Sequence, residues 1–217
     1  MVLNDTLRHQ GMRKKLIDGL KIKGIRNQQV LDAIGNIPRH LFMESTFINF
    51  AYKDQAFPIG AGQTISQPYT VACQTQLLQI EKNEKVLEVG TGSGYQAAVL
   101  LELGAKVFTI ERQKELYTKV QKFLPEIGYT PAFFFGDGYK GLPNFAPFDK
   151  ILVTAGAPSV PEDLKNQLKI GGRLVIPVGN DRRQIMKVLT RVSETEFKME
   201  KHGSFVFVPL LKGTVNL

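Results

Sequence analysis

Three glycines at alternate positions, Gly90, Gly92 and Gly94, follow the acidic residue Glu88 in one short segment. Glycines at such a turn let the backbone bend tightly and approach a ligand without a Cβ in the way. They also aim backbone N–H groups and the start of a following helix at that ligand. Glu111 lies 21 residues beyond Gly90, where a carboxylate can accept hydrogen bonds from both hydroxyls of a ribose. The pattern predicts a nucleoside-containing ligand, and the alternative is a tight turn that binds nothing.

The spacing of the glycines and the charge of Glu88 narrow the choice of ligand. Dinucleotide sites carry the pattern G-x-G-x-x-G, whereas this turn reads G-x-G-x-G with Tyr95 in place of the last glycine. An acidic residue is poorly suited to lie beside a pyrophosphate, but it suits a cofactor with an ammonium and a sulfonium group. The form E-x-G-x-G-x-G resembles the first motif of the large family of methyltransferases that use S-adenosylmethionine. S-adenosylmethionine is therefore the predicted cofactor.

A second small segment, Gly136–Gly138, follows the third apolar run of the chain, Ala132–Phe135. Asp137 there can accept a hydrogen bond from the amino group of adenine, and the backbone of Gly138 offers a neighbouring contact. The dipeptide Asp137-Gly138 is also typical of an ordinary turn. Its position at the carboxyl edge of a parallel sheet, where ligands bind, favours the functional interpretation.

The methyl acceptor is constrained by what the sequence lacks. Enzymes that methylate exocyclic amines of bases usually carry an Asn/Asp-Pro-Pro-aromatic tetrad after the fourth strand, and this chain has Thr154-Ala155-Gly156-Ala157-Pro158 there. Methylation of cytosine C5 needs a nucleophilic cysteine, and the lone Cys73 lies in a predicted helix before the first strand of the sheet, where it reads as a small core residue. Both observations weigh against a nucleic-acid base as the acceptor.

The segment Pro58–Tyr69, PIGAGQTISQPY, closely resembles the matching loop of the protein-L-isoaspartate O-methyltransferase family. The resemblance covers most of the chain and continues through Val86–Leu100, Glu111–Arg112, Gly136–Gly138, Pro147–Pro158, Gly171–Gly179 and Phe207–Leu210. It implies that Ser66 is the active-site residue and that Gln63 and Thr64 line the cofactor and substrate cleft. It also implies that Glu111 contacts the ribose, and that Asp137 and Gly138 contact the adenine. Gly156 departs from the family, since many members have alanine there.

The resemblance implies methyl transfer from S-adenosylmethionine to the free α-carboxylate of L-isoaspartyl residues in damaged proteins and peptides. The ester then collapses to a succinimide that reopens in part to normal aspartate. Because a carboxylate is already ionised at pH 7, no general base is required. Ser66 is then a donor that orients the carboxylate or holds the loop over it, or else it caps the helix that begins at Gln67-Pro68. The glycines Gly60 and Gly62 suit a loop that orders on binding.

Elements of two kinds must position these residues, and their alternation predicts the fold class. Short runs that are apolar on both faces alternate with helical stretches, which indicates an α/β, doubly wound, mostly parallel sheet of Rossmann-like methyltransferase type. The predicted strands are Val86–Val89, Val107–Ile110, Ala132–Phe135, Ile151–Val153 and Leu174–Ile176, and the predicted helices between them are Tyr95–Leu103, Lys114–Leu124 and Pro161–Leu168.

The two ends of the chain are predicted to add to this sheet. A helical N-terminal cap comprises a helix from Leu3 to Leu20 that ends near Gly19, a helix over Gln28–Ile34 with Asn27 as N-cap, a long loop over Phe57–Pro68, and a helix over Tyr69–Leu78. Antiparallel strands at the C-terminal edge are Gln184–Val192, Phe197–His202 and Phe205–Val208. We expect one domain over 1–217, divided into 1–80 (cap and active-site loop), 81–180 (cofactor-binding core) and 181–217 (strand-rich edge).

Composition and charge bound the remaining possibilities for these 217 residues. The single cysteine excludes an internal disulfide, and His9, His40 and His202 are isolated in the sequence, so no metal is expected. Of the net charge of +8, residues 1–40 carry eight basic and three acidic side chains, and residues 181–217 carry seven and four. This excess fits an anion-binding surface or simply solvated faces.

The overall expectation is a cytoplasmic, monomeric enzyme with no membrane segment and isoaspartyl proteins and peptides as substrates. Two alternatives stay open. A nucleic-acid methyltransferase is motivated by the basic ends of the chain, although the missing tetrad makes nucleic acid an unfavoured partner. A non-catalytic protein that only binds S-adenosylmethionine would keep the same glycine turn.

Overall fold

The computed structural model describes residues 5–216. Its helices are α1 Leu7–Ile22, α2 Gln28–Asn36, α3 Pro68–Leu78, α4 Tyr95–Glu102, α5 Lys114–Glu126 and α6 Glu162–Asn166, with short 3-10 turns at Arg39–Phe42, Ser45–Phe50 and Pro143–Phe145. Its strands are β1 Phe57–Gly60, β2 Gln63–Ile65, β3 Lys85–Val89, β4 Lys106–Glu111, β5 Ala132–Phe135, β6 Phe148–Val153, β7 Leu168–Asn180, β8 Arg183–Arg191 and β9 Phe197–Phe205. No helix within this part of the chain is long and apolar enough to cross a membrane.

The main sheet has seven strands in the order β5-β4-β3-β6-β7-β8-β9. Strands β3 to β7 pair in parallel, and β7, β8 and β9 pair antiparallel. The sequence leads to this arrangement because the parallel strands are apolar on both faces and the crossover segments form helices. The predicted α/β fold class is confirmed, including the antiparallel strands at the C-terminal edge.

Alternate residues of the central strands pack into two separate cores. Val86 and Leu152 join a cluster with α1 to α5 on one face of the sheet, whereas Leu87 and Ile151 join a cluster with α6 on the other face. Successive side chains of a strand point to opposite faces, so each strand stabilises both cores at once. This covering of both faces holds the carboxyl ends of the parallel strands in a fixed arrangement.

Strands β4 and β6 lie on opposite sides of β3, and the chain connections that reach them leave a crevice between them at the end of β3. From β3 the chain moves outward through β4 to β5, and it then returns to place β6 on the other side of β3. Ligands of open α/β sheets bind where the strand order reverses, outside the carboxyl ends of the strands. The glycine turn follows β3 and Thr154 follows β6, so both lie at this point.

The N-terminal helices agree with the prediction in type and differ at their ends. The side chain of Asn27 accepts a hydrogen bond from the backbone N–H of Val30, which confirms Asn27 as the N-cap of α2. Helix α1 continues to Ile22, beyond the expected end near Gly19, because the chain reverses at Gly24, whose φ is +96°. The expected start at Leu3 lies outside the described residues.

The segment predicted as a long loop, Phe57–Pro68, is mostly a β-hairpin. Strands β1 and β2 pair antiparallel, with Phe57 opposite Ile65, and the reversal uses positive φ at Gly60, Ala61 and Gly62. The prediction of a loop was wrong because Gly and Pro outnumber the alternating apolar residues Phe57, Ile59 and Ile65. The hairpin carries Gln63 and Thr64 on a hydrogen-bonded strand.

The last predicted strand, Phe205–Val208, was also assigned wrongly. Strand β9 spans Phe197 to Phe205 with one register shift at Gly203, and its pairing with β8 stops at Phe205. The next residues leave the sheet because their backbone is held elsewhere: the N–H of Phe207 donates to the side chain of Gln184, and the N–H of Gly156 donates to the carbonyl of Val208. This departure forms one wall of the crevice.

Candidate active site

The glycine turn after β3 is built from three residues in the left-handed region. Gly90, Gly92 and Gly94 have φ values of +96°, +53° and +81°, which L side chains rarely adopt. A Cβ on Gly90 would lie 2.5 Å from Oγ1 of Thr154, and one on Gly94 would lie 2.8 Å from Val120 and Leu124 of α5. Gly90 and Gly92 therefore let the backbone approach the crevice, whereas Gly94 allows α4 to pack against α5.

Glu111 ends β4 beside this turn, and its carboxylate is fixed in place. One oxygen accepts from the backbone N–H of Gly92 at 2.9 Å and the other from that of Gln113 at 2.9 Å. An ionised carboxylate has about four lone-pair sites, so two acceptor positions stay open toward a ligand. The arrangement can receive two neighbouring hydroxyl groups without moving the side chain.

The cleft at the crevice collects most of the residues predicted to bind the cofactor. It encloses about 580 Å³ of empty space including its open mouth. The predicted residues that line it are Gln63, Thr64, Gly90, Gly92, Glu111 and Gly138. The remaining walls come from Val89, Ile110, Arg112, Thr154, Ala155 and the segment Val208–Leu211.

Ser66 lies next to this cleft, in a second groove that shares residues with it. Thr64 and Val208 line both spaces, and the second groove continues past Ser66 to Tyr69, Phe205 and Val206. The N-cap of α3 is Gln67, without a side-chain hydrogen bond, so the interpretation of Ser66 as a helix cap is wrong. Its hydroxyl makes no hydrogen bond within residues 5–216 and is available to a molecule in the groove.

Glu88 does not line either space. Its side chain is fully buried inside the sheet, where one oxygen accepts from the hydroxyl of Thr109 and the other has no partner in the described part of the chain. Burial raises the pKa of Glu88 to about 8, against the lowering effect of the Thr109 bond and with a small contribution from the charge of Glu111. The Thr109 hydroxyl also pairs with that of Thr91 at 2.6 Å, so Glu88 supports the glycine turn from below.

Asp137 is likewise turned away from the cleft, although its neighbour Gly138 lines it. The carboxylate accepts from the N–H groups of Tyr139 and Gly213, at 2.9 and 2.8 Å, and thus ties the turn to the C-terminal segment. A Cβ on Gly138 would lie 2.5 Å from Val89, so only glycine lets the backbone come this close to the floor of the cleft. In this arrangement Asp137 shapes the wall that Gly138 presents.

Several residues of the site were not predicted from the sequence. Thr154 donates from Oγ1 to the carbonyls of Val89 and Gly90, at 3.0 and 2.7 Å, and so locks the turn to the end of β6. Gly156 holds the wall segment through bonds to Val208 and Leu210. The signal for Thr154 was its position directly after the fourth predicted strand, at the switch point.

Two of the histidines that are isolated in the sequence meet in the structure. The rings of His9 and His40 stack with centroids 3.9 Å apart because α1 packs against the 3-10 turn at Arg39–Phe42, and Asp5 lies within metal-ligand range of both. Both oxygens of Asp5 accept from Arg13, and Nδ1 of His40 pairs with the hydroxyl of Tyr52. The expectation of isolated histidines is therefore wrong for this pair, which lies beside Asp5 and Tyr52 within the cap.

The family model and the relatives that match this chain carry the same enzyme name. A family model described as protein-L-isoaspartate(D-aspartate) O-methyltransferase matches residues 11–215. The chain is 63% identical over 211 residues to the protein-L-isoaspartate O-methyltransferase of Christiangramia forsetii, and 61% identical over 211 residues to that of Flavobacterium johnsoniae. Each alignment covers 97% of this chain and 99% of the relative.

Two solved structures share the fold over nearly the whole chain. A protein-L-isoaspartate O-methyltransferase superposes with a TM-score of 0.81 at 30% identity, covering 91% of this chain and 65% of that one. A second structure, described as that of a putative enzyme of the same name from Plasmodium falciparum in complex with S-adenosyl-L-homocysteine, gives a TM-score of 0.79 at 24% identity and covers 93% and 99%.

Proposed function

The chain belongs to the protein-L-isoaspartate(D-aspartate) O-methyltransferase family, and we propose that the two adjoining spaces described above hold its cofactor and its substrate. It is an enzyme that transfers a methyl group from S-adenosylmethionine to the free α-carboxylate of L-isoaspartyl residues in proteins and peptides. The main support for this location is that Thr64 lines both the cleft that contains Glu111 and the groove that contains Ser66.

The residues of the first cleft fit S-adenosylmethionine. Backbone at positive φ allows close approach at Gly90 and Gly92, and the fixed Glu111 carboxylate keeps acceptor positions for two ribose hydroxyls. When bound, the cofactor supplies an electrophilic methyl group on a sulfonium. We assign the direct contacts to Gln63, Thr64, Gly90, Gly92, Glu111 and Gly138, and an indirect role in shaping the site to Glu88, Gly94 and Asp137.

The acceptor needs alignment rather than activation. Because its carboxylate is ionised at neutral pH, the protein has no proton to remove before the methyl group moves. The remaining contributions are to hold the carboxylate oxygen in line with the methyl carbon and to exclude water. We assign this orientation to Ser66, which lines the groove and whose hydroxyl is not engaged by the described residues.

The groove also offers backbone to an extended peptide. Val206 is 74% exposed, and the N–H groups of Val206 and Val208 make no hydrogen bond to the described residues. A peptide that pairs with this segment would be recognised through its main chain, which tolerates many flanking sequences. Such tolerance suits an enzyme whose substrates arise at many different sites.

The test is methyl transfer from labelled S-adenosylmethionine to two matched peptides, one isoaspartyl and one aspartyl. Base-labile label on the isoaspartyl peptide alone establishes the acceptor, the ester bond and the selectivity together. Label on RNA with a steep salt dependence would instead support a nucleic-acid methyltransferase. Cofactor binding without transfer to either peptide would support a non-catalytic binding protein.

The organisation of the protein belongs to the same proposal. One hydrophobic cluster runs from Leu16 to Phe207, which supports a single domain over 1–217 with the cap, core and edge divided at 80 and 180. We further propose a cytoplasmic monomer that needs no metal, since Cys73 is the only cysteine and the proposed chemistry needs no Lewis acid. Sedimentation of the purified protein and activity in the presence of a chelator test the last two statements.

A further inference from the structure

Arg39 is a fully buried cation that forms no salt bridge in the described structure, although the charge of Asp54 acts on it from beyond salt-bridge distance. Its side chain has 0% exposure, and it lies in the 3-10 turn after α2, outside both the cleft and the groove. A buried guanidinium without a carboxylate partner is costly, because its charge is taken out of water with no opposite charge in contact with it. Fold stability alone therefore does not account for arginine at this position.

The guanidinium instead joins three separate segments of the chain, at Ala51, Ser66 and Tyr95. Nε donates to the carbonyl of Ala51 at 3.0 Å, and Nη2 donates to the carbonyl of Ser66 at 2.8 Å. The planar group lies over the ring of Tyr95, with Cζ 4.7 Å from the ring centroid. Nη1 and the Tyr95 hydroxyl are buried with no partner in hydrogen-bond geometry in the described part of the chain.

These contacts connect the acceptor side of the site to its cofactor side. Ser66 follows the hairpin that carries Thr64, whereas Tyr95 is the first residue of α4, directly after the glycine turn. One planar group thus fixes the main chain of Ser66 with respect to the turn. Lysine could not replace it, because an ammonium is a point donor without the fork and the flat face of a guanidinium.

From this geometry, and resting on the proposed function, we propose that Arg39 is a positioning residue for methyl transfer. It sets the main chain of Ser66 relative to the glycine turn, so that the residue that would orient the substrate carboxylate keeps a fixed position relative to the turn that would hold the cofactor. In-line displacement is sensitive to small misplacements of the reacting atoms, so loosening this tether lowers turnover more than it lowers binding.

The experiment compares Arg39→Lys and Arg39→Met with Arg13→Lys. Arg13 is a matched control because it is also buried in the N-terminal cap, where it bonds to Asp5 and Tyr52 and has no contact with Ser66 or Tyr95. We measure kcat and KM with an isoaspartyl peptide, the Kd for S-adenosylhomocysteine, unfolding by denaturant, and amide hydrogen exchange over residues 63–71.

Both Arg39 variants are expected to lower kcat at least tenfold, with KM and the Kd for S-adenosylhomocysteine within threefold of wild type and faster exchange over 63–71. Arg39→Met leaves the buried carbonyl of Ala51 without its donor, so it is expected to be less stable than wild type but folded, and unchanged KM and Kd then separate positioning from folding. Arg13→Lys is expected to keep kcat within twofold. A folded Arg39→Met variant with the kcat of wild type overturns the proposal. A fall in kcat that is proportional to the loss of unfolding free energy, and is the same in Arg39→Lys and Arg13→Lys, also overturns it. If the wild-type protein does not methylate the isoaspartyl peptide, the proposed function fails. The contact between Arg39 and Ser66 is tested separately, because unchanged amide hydrogen exchange over residues 63–71 in the Arg39 variants would show that Arg39 does not hold this segment.

Discussion

The carboxylate of Glu111 accepts a 2.9 Å hydrogen bond from the backbone N–H of Gly92, which joins the end of β4 to the glycine turn after β3. The two residues are 19 positions apart in the chain and come together because β3 and β4 are neighbouring parallel strands. This bond orients the carboxylate toward the cleft and holds the turn open at the same time. Loss of the charge at Glu111 should therefore weaken ligand binding in two ways, through the carboxylate itself and through the position of the glycine turn.

Replacement Glu111→Gln is expected to weaken binding of S-adenosylhomocysteine by at least tenfold. A neutral amide loses charge-assisted hydrogen bonds, and its NH₂ group must face a backbone N–H of Gly92 or Gln113; together these cost about 1.5–3 kcal/mol. Isothermal titration calorimetry provides the Kd. The matched control is Glu126→Gln, an exposed carboxylate at the end of α5, which should leave the Kd unchanged. Equal affinity in the Glu111 variant and wild type would remove Glu111 from the site.

Replacement Gly94→Ala is expected to destabilise the fold by about 2–4 kcal/mol. The strain of a positive φ adds about 1 kcal/mol, and the new Cβ meets Val120 and Leu124 at 2.8 Å, which forces α4 away from α5. Gly128→Ala separates the two terms, because Gly128 has φ +90° but nothing within 4 Å of a Cβ. Denaturant unfolding of both variants should show a much smaller loss for Gly128→Ala. Equal losses would mean that strain alone explains Gly94.

The sequence predicted best where the signal is local. The N-cap at Asn27 depends on residues within one helical turn, and the convergence of the glycine turn with Glu111 follows from parallel strands that end at the same edge. Glu88 belongs to the glycine motif but does not line the cleft. It lies inside β3 rather than at its end, so its side chain stands perpendicular to the sheet and enters the core, whereas residues at or beyond the strand ends reach the cleft.

The parts that the sequence did not predict depend on contacts between distant segments. Arg39 and Ser66 are 27 positions apart, and His9 and His40 are 31 apart, and no periodicity in the chain relates either pair. The hairpin at 57–65 was missed because its glycines outweigh three alternating apolar residues. In each case the partner is set by how the N-terminal cap packs on the sheet, which requires the tertiary structure.

Replacement Ser66→Ala is expected to lower kcat/KM for an isoaspartyl peptide about tenfold without changing stability. One hydrogen bond to a charged group contributes on the order of 1.5 kcal/mol, and the hydroxyl makes no bond within the described structure that its removal would break. Ser159→Ala, at an exposed position beyond β6, serves as the control. A loss of about 1 kcal/mol in unfolding free energy with full activity would instead mean that the Ser66 hydroxyl supports the fold and takes no part in methyl transfer.

Replacement Glu88→Gln is expected to change how stability depends on pH. Burial raises the pKa of Glu88 from 4.5 to about 8, so the folded protein keeps a proton that the unfolded chain releases. By linkage, the wild-type protein loses stability as pH rises through this interval, and a neutral glutamine of the same shape does not. Because one pKa unit corresponds to about 1.4 kcal/mol, the variant should gain on the order of 3 kcal/mol relative to wild type between pH 5.5 and pH 8.

Urea unfolding of wild type and Glu88→Gln at several pH values in this interval measures the difference directly. Processes common to both proteins cancel, so the change in the difference belongs to Glu88. Glu196→Gln, at an exposed carboxylate, should give a difference that does not vary with pH. A constant difference for Glu88→Gln as well would mean that the buried carboxyl is ionised throughout, in which case its unpartnered oxygen must gain a donor such as water through local opening of the glycine turn.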